Sequence, residues 1–207
     1  MTTLLLIGAG YLAGSMPFGY WVVRAVTGED IRRKGSGNIG ATNVWRSYGW
    51  RLGVPIIVLD VAKGFVPALA GALLVDDLTG LLAGAAAMAG HWRPLFLGFH
   101  RGGKTVATAG GVALAIAPLV GLTALGVWLV CFALFRYASV ASMVAACSMP
   151  PVAWLYGEPW VVVAFAGVVA AAVVVLHRPN IGRLLRGQEP RAALRRRRDT
   201  PARVAGG

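Results

Sequence analysis

Pro159-Trp160-Val161-Val162-Val163-Ala164-Phe165-Ala166-Gly167-Val168-Val169-Ala170-Ala171-Ala172-Val173-Val174-Val175-Leu176-His177 carries no Asp, Glu, Lys or Arg from end to end. A helix of that length approaches the ~30 Å thickness of a bilayer's hydrocarbon core. None of its faces is polar, so it does not read as the amphipathic helix of a soluble domain. Glu158 precedes it and Arg178 follows it. Basic residues collect on the cytoplasmic side of membrane helices, which places the Arg178 end in the cytoplasm.

Six further apolar segments lie upstream, at 3–24, 53–75, 78–92, 106–118, 119–135 and 139–156. The segments at 106–118 and 119–135 meet at Ala117-Pro118 and read as a tight hairpin. Seven spans sort the basic residues to one side, with Lys63 as the exception. Arg24, Arg32, Arg33, Lys34, Arg46 and Arg51 follow the first span; Arg93, Arg101 and Lys104 follow the third. Arg136 follows the fifth, and Arg178, Arg183 and Arg186 the seventh. The opposite loops hold Asp76, Asp77 and Glu158. The fold expected is an all-α integral membrane protein of seven transmembrane helices, N-terminus outside and C-terminus cytoplasmic. No Lys or Arg precedes Leu4, and the first apolar run continues through Gly14-Ser15-Met16-Pro17 to Val23, so it reads as a span and not as a cleavable signal. Trp50, Trp92, Trp154, Tyr156 and Trp160 fall near span ends, as interfacial anchors.

Composition agrees. Of 207 residues 57% are hydrophobic and 14% charged, and the mean hydropathy is +0.67, which argues against an ordinary soluble enzyme and against disorder for most of the chain. The net charge of +12 suits a membrane surface or an anionic substrate in so apolar a chain. Cys131 and Cys147 lie inside apolar runs and read as small core residues, not as a disulfide or metal pair. Two regions are expected: a membrane domain over 1–187 and a basic, disordered cytoplasmic tail over 188–207, with Arg195 to Arg198 in a row to touch anionic headgroups.

The polar loops carry the chemistry. Gly35-Ser36-Gly37-Asn38-Ile39-Gly40-Ala41-Thr42-Asn43-Val44-Trp45-Arg46 packs glycines among short donors. Glycine lets backbone N–H groups turn toward one point, and such a loop can cradle phosphate oxygens, above all where a helix begins at its end. Arg32, Arg33 and Lys34 before it and Arg46 at its end add positive charge. It is not a Walker A loop, since no Lys-Ser or Lys-Thr follows at that motif's spacing. The second loop, Gly90 to Thr105, carries Gly102-Gly103-Lys104 into an apolar helix, where the lysine can meet an anion. His177 and Asn180 share a face if the turn stays helical, with Pro179 kinking or ending the helix between them. Ser139 and Ser142 open another span. Asp60 and Lys63, one helical turn apart inside a span, are expected to pair, because unpaired charges are costly at membrane depth.

Absences narrow the chemistry. No carboxylates cluster on the cytoplasmic side for a two-metal mechanism, no Asp stands five residues after a His, and no Gly-x-Ser-x-Gly elbow occurs. The reading is a neutral-to-basic, glycine-rich site beside lipid, suited to a phosphorylated substrate with an acyl chain.

These motifs resemble those of the bacterial acyl-phosphate:glycerol-3-phosphate acyltransferase family, over nearly the whole chain. Gly14-Ser15-Met16-Pro17-Phe18-Gly19 is similar to the family's first-span motif. Gly35 to Arg46 matches its Gly-Ser-Gly-Asn-x-Gly-Ala-Thr-Asn-x-x-Arg loop. Leu59-Asp60-x-x-Lys63-Gly64, Gly90-His91, Pro94 to Phe99, Gly102-Gly103-Lys104, Val106-Ala107-Thr108 and His177-Arg178-x-Asn180-Ile181-x-Arg183-Leu184 follow in order. The family usually reads Phe-Lys-Gly-Gly-Lys-Gly-Val-Ala-Thr. Here one extra residue separates Phe99 from Gly102, and Thr105 replaces the glycine after the lysine.

The resemblance implies transfer of a fatty acyl group from acyl phosphate to the 1-hydroxyl of sn-glycerol 3-phosphate, giving lysophosphatidate and phosphate at the cytoplasmic face of the bacterial plasma membrane. It implies that Gly37, Asn38, Gly40, Thr42 and Asn43 cradle the donor phosphate. Ser36, Arg46, Lys104, Ser142, His177 and Asn180 would hold glycerol 3-phosphate, with Ser36, Lys104 and His177 closest to the chemistry. The substrate's own phosphate or His177 takes the hydroxyl proton. No metal or cofactor is expected, and membrane lipid is the surrounding partner, with no nucleic acid and no obligatory protein partner. The alternative is a channel or transporter for a small phosphorylated anion.

Overall fold

The computed structural model describes residues 1–192, which form ten α-helices and no strand. They are α1 (Thr2–Gly14), α2 (Phe18–Thr27), α3 (Ala41–Tyr48), α4 (Trp50–Leu74), α5 (Asp77–Trp92), α6 (Val106–Ile116), α7 (Pro118–Phe135), α8 (Ala138–Leu155), α9 (Trp160–Leu176) and α10 (Arg178–Leu185). Short 3₁₀ turns at Ile31–Arg33 and Leu95–Leu97 punctuate the two polar loops. Helices α4, α7 and α8 are each long and apolar enough to cross a membrane; α9 joins them when taken with α10, from which it bends by 55°. The helices cover the seven apolar segments read from the sequence, with one correction. The segment at 3–24 is two helices. Pro17 lacks an N–H and caps α2, so the chain breaks over Ser15-Met16-Pro17.

That break is stabilised from α4. Lys63 Nζ donates at 3.1 Å to the carbonyl of Met16, which also accepts from Phe18 N–H, and pairs with Asp60 Oδ1 at 2.8 Å, both side chains almost wholly buried. The expected Asp60–Lys63 pair therefore exists, and it sits where a helix end needs a donor. His91 at the end of α5 lies on the same carboxylate, its Nδ1 3.8 Å from Asp60 Oδ1.

Small residues let the helices approach closely. On α6, a Cβ added at Gly111 would stand 2.8 Å from the Phe65 nitrogen of α4, so the backbones nearly touch. The larger core joins Ala68, Met88, Val112, Val120, Met149 and Val169, one from each of α4 to α9. A smaller core of Val23, Ile31, Ile39, Val44 and Ile56 underlies the glycine-rich loop. The apolar side chains of α7 mostly face outward: Leu122, Leu125, Leu129, Val130 and Leu134 are exposed, as a lipid-facing helix requires. Trp154, Tyr156 and Trp160 are exposed at the α8–α9 connection and Trp50 and Trp92 at helix ends, as belt residues are.

Helix α6 has 11 residues and rises only ~16 Å, too short to cross a bilayer alone. The loop before it has its backbone paired. Gly102 N–H donates to Trp92 C=O and Gly103 N–H to His91 C=O, each at 2.9 Å, so irregular backbone is tolerated inside the protein.

One expectation is corrected by these packing relationships. Neither cysteine belongs to the core: Cys131 is half-buried and Cys147 exposed, both as free thiols. Past residue 187, Glu189 is buried and Ala192 N–H donates to Arg136 C=O at 2.8 Å. The run from Arg195 to Arg198 lies outside the described residues.

Candidate active site

Asn43, on the first turn of α3, folds the glycine-rich loop onto itself. Its Oδ1 accepts from Ser36 N–H at 3.0 Å. Its Nδ2 donates to Lys34 C=O at 3.0 Å and to Asn38 C=O at 2.8 Å. Asn38 closes the next turn: Oδ1 accepts from Gly40 N–H at 2.7 Å, and Nδ2 reaches Gly102 C=O at 3.2 Å, tying the two polar loops together. Both asparagines, expected on the donor phosphate, thus have their side chains engaged in framework. Gly37 and Gly40 N–H are engaged as well, the former on Lys34 C=O at 2.9 Å. Gly37 contributes its left-handed backbone, φ 70°, which allows the turn. Among the donors left open are the first-turn N–H groups of Ala41 and Thr42, which have no helical acceptor, and the exposed hydroxyls of Ser36 and Thr42.

The flanking cations divide. Arg32 pairs with Asp30 at 2.7 Å and Lys34 with Glu29 at 3.1 Å, so these two do not add free charge to the loop as the sequence suggested. Arg46 lies instead within electrostatic reach of Glu189, which attracts it, and of Arg183, which repels it.

Lys104 is half-buried, and its Nζ donates to Asn180 Oδ1 at 2.5 Å. Burial, followed by the opposed effects of Glu189 and of Arg183, Arg101 and Arg46, lowers its pKa to about 8. Asn180 in turn donates from Nδ2 to Glu189 Oε1 at 2.6 Å. That carboxylate also accepts from Ser139 Oγ at 2.7 Å and from Arg183 Nε at 2.8 Å. Since Oδ1 meets a cation and Nδ2 an anion, the orientation of the Asn180 amide is fixed by its neighbours. The extra residue before Gly102 does not carry Lys104 out of reach. It is absorbed upstream, where Gly98 and Phe99 take left-handed backbone and His100 Nδ1–H closes the turn on Leu97 C=O at 2.9 Å. Thr105 also adopts positive φ, 63°, at the start of α6.

His177 stands at the 55° bend between α9 and α10, with Pro179 near the start of the new helix. Its Nδ1 lies 2.8 Å from Val173 C=O; a carbonyl only accepts, so Nδ1 carries the proton and Nε2 the lone pair in the neutral ring. The ring is 3% exposed. Ser142 lies one helical turn along α8 from Ser139, on the same face and also buried.

The structure therefore links Lys104, Asn180, Ser139, Arg183 and Glu189 directly, and sets Arg46 and His177 within electrostatic reach of Lys104. Ser139, Arg183 and Glu189 were not among the expected site residues. The signal for Glu189 was its solitude: it is the one acid between Glu158 and Asp199, in an otherwise basic stretch. Among the described residues no cluster of three or more potential metal ligands occurs.

Residues 4–187 match the family model described as glycerol-3-phosphate acyltransferase. The chain is 46% identical over 196 residues to a glycerol-3-phosphate acyltransferase of Desulforudis audaxviator, covering 95% of this chain and 98% of that one. It is 43% identical to the protein of the same name from Aquifex aeolicus, covering 92% and 100%. Two crystal structures of PlsY, an integral membrane glycerol 3-phosphate acyltransferase, superpose on it. The glycerol 3-phosphate form has a TM-score of 0.88 at 42% identity, covering 93% of this chain and 96% of that one. The lysophosphatidic acid form has a TM-score of 0.85 at 40% identity with the same coverage. With the family model, the curated relatives and the solved fold in agreement, the chain belongs to the glycerol-3-phosphate acyltransferase family.

Proposed function

We propose that the protein transfers a fatty acyl group from an acyl phosphate to the 1-hydroxyl of sn-glycerol 3-phosphate. The single observation that carries this reading is the hydrogen-bonded chain from Lys104 through Asn180 and Glu189 to Arg183 of α10, with Arg46 of α3 within electrostatic reach of the ammonium. Such a cluster suits a phosphate dianion. Lys104, Arg46, Asn180 and Ser142 hold glycerol 3-phosphate. Ser36 and Thr42, with the N–H groups at the start of α3, hold the phosphate of the donor, and the glycines and asparagines of that loop shape it.

The acyl phosphate is a mixed anhydride and needs no further activation. The acceptor oxygen bonds to the acyl carbon as the bond from that carbon to the phosphate oxygen breaks. The hydroxyl proton passes to a phosphate oxygen. His177, its Nδ1–H held by Val173 C=O, presents Nε2 as a hydrogen-bond acceptor that orients the attacking hydroxyl. Positioning and the cations stabilise the charge that develops on the leaving phosphate.

Seven crossings, N-terminus outside and C-terminus cytoplasmic, are consistent with α1–α2 as a broken span and with the basic ends of the other helices lying on one side. That topology puts the site on the cytoplasmic face of the plasma membrane, where the loops bearing Ser36, Lys104 and His177 meet. The test is purified protein in detergent with palmitoyl phosphate and glycerol 3-phosphate. The expected result is one phosphate per lysophosphatidate formed. Uptake of glycerol 3-phosphate into protein-containing vesicles without conversion would instead establish anion transport.

A further inference from the structure

Trp128 lies on α7, the helix most open to lipid, yet its polar atom turns inward. Its indole Nε1–H donates to Ser142 Oγ of α8 at 3.1 Å. The ring is held in that direction by stacking on Phe132, with centroids 4.9 Å apart and planes at 17°. Ser142 is itself 7% exposed, and its hydroxyl donates to Ala138 C=O, one turn back, at 2.7 Å.

A hydroxyl has one proton and two lone pairs, and it rotates unless its neighbours stop it. Here the proton is directed to Ala138 and one lone pair is taken by the indole, so a single lone pair remains. We propose that Trp128 is a positioning residue for acyl transfer. It fixes the Ser142 hydroxyl as an acceptor aimed at a donor group of bound glycerol 3-phosphate, a role that rests on Ser142 belonging to the acceptor site. The alternative account of Trp128, an interfacial anchor, requires its N–H to face headgroups or water; the bond to a buried serine satisfies it within the protein instead.

The test separates the N–H from the ring. Trp128→Phe and replacement of Trp128 by benzothienylalanine both remove the donor, and the second keeps the shape of the indole. Each is measured alone and with Ser142→Ala, reading KM for glycerol 3-phosphate, KM for palmitoyl phosphate and kcat. One neutral hydrogen bond corresponds to an effect of about three- to tenfold. The expected result is a rise of that size in KM for glycerol 3-phosphate, with KM for palmitoyl phosphate unchanged and no additional effect in the Ser142→Ala background. Trp128→His, which retains a ring N–H, recovers part of the loss. Wild-type kinetics in the benzothienylalanine protein overturn the proposal, as does an effect that multiplies with that of Ser142→Ala. If Ser142→Ala is itself silent, Ser142 leaves the acceptor site, and the proposal falls with that assignment while acyl transfer stands. Should Trp128→Phe fail to fold, the benzothienylalanine protein decides.

Discussion

Lys104 and Asn180, 76 positions apart in the chain, meet through a 2.5 Å hydrogen bond from ammonium to amide oxygen. The bond joins the loop before α6 to the short helix after α9, and Glu189 completes it from the far side by accepting from the same amide. A lysine held this way is aimed, partly desolvated and surrounded by like charge, which is a state that an incoming phosphate relieves.

In the proposed acceptor site, removing that ammonium would cost a charged hydrogen bond to substrate, about 1.5–3 kcal/mol. Lys104→Met is expected to raise KM for glycerol 3-phosphate and lower kcat, for a loss in kcat/KM on the order of 10- to 150-fold. Steady-state kinetics at varied acceptor concentration check this; unchanged kcat/KM would remove Lys104 from the site.

The pH dependence follows from the same residue. On the proposed function the free protein binds the phosphate best with Lys104 protonated, and its pKa of about 8 means that the charge is present below pH 8 and lost above it. The phosphate of the substrate is already a dianion through this range, its second pKa being about 6. So kcat/KM for glycerol 3-phosphate is expected to fall as pH rises through about 8. In Lys104→Arg, where the cation does not titrate, that limb should vanish even if the absolute rate is lower.

Ser36 and Asn43 separate ligand from framework. Asn43 is 3% exposed and makes three hydrogen bonds inside the loop; at about 1 kcal/mol each, Asn43→Ala is expected to lower the melting temperature in detergent as well as activity. Ser36 is exposed and uses only its backbone in that set. Ser36→Ala should cut activity with the melting temperature unchanged. Equal thermal losses in both would contradict the division.

Thr105 carries a visible cost. It holds φ 63°, which disfavours an L-residue by roughly 1–2 kcal/mol, and its Oγ1 is buried without a partner. Glycine relieves both and returns about 0.5–1 kcal/mol through its greater unfolded freedom. Thr105→Gly is expected to stabilise by about 1 kcal/mol, read as a rise of a few degrees in melting temperature. A fall would mean that the Thr105 side chain supports the loop.

Much of this architecture could be read from residue order. The apolar runs at 53–75, 119–135, 139–156 and 159–177 coincide with helices to within a few residues, because so apolar a run of that length has few other uses. The pairing of Asp60 with Lys63 was readable for a similar reason: buried charges a turn apart have little choice. The break in the first span was signalled only by Pro17, and the lysine that satisfies it lies on another helix. The framework role of Asn38 and Asn43 was hidden, since an asparagine in a glycine-rich loop can face a ligand or its own backbone with equal chemical sense. Glu189 was concealed by its basic neighbourhood, which on composition alone reads as a solvated tail.

The central claim is direct transfer, with cations and positioning in place of a protein nucleophile. Rapid-quench measurement of phosphate release from palmitoyl phosphate without glycerol 3-phosphate tests it most directly. Direct transfer predicts no release above uncatalysed hydrolysis until the acceptor is added. A burst of one phosphate per protein, with the protein mass increased by one palmitoyl group, would contradict it.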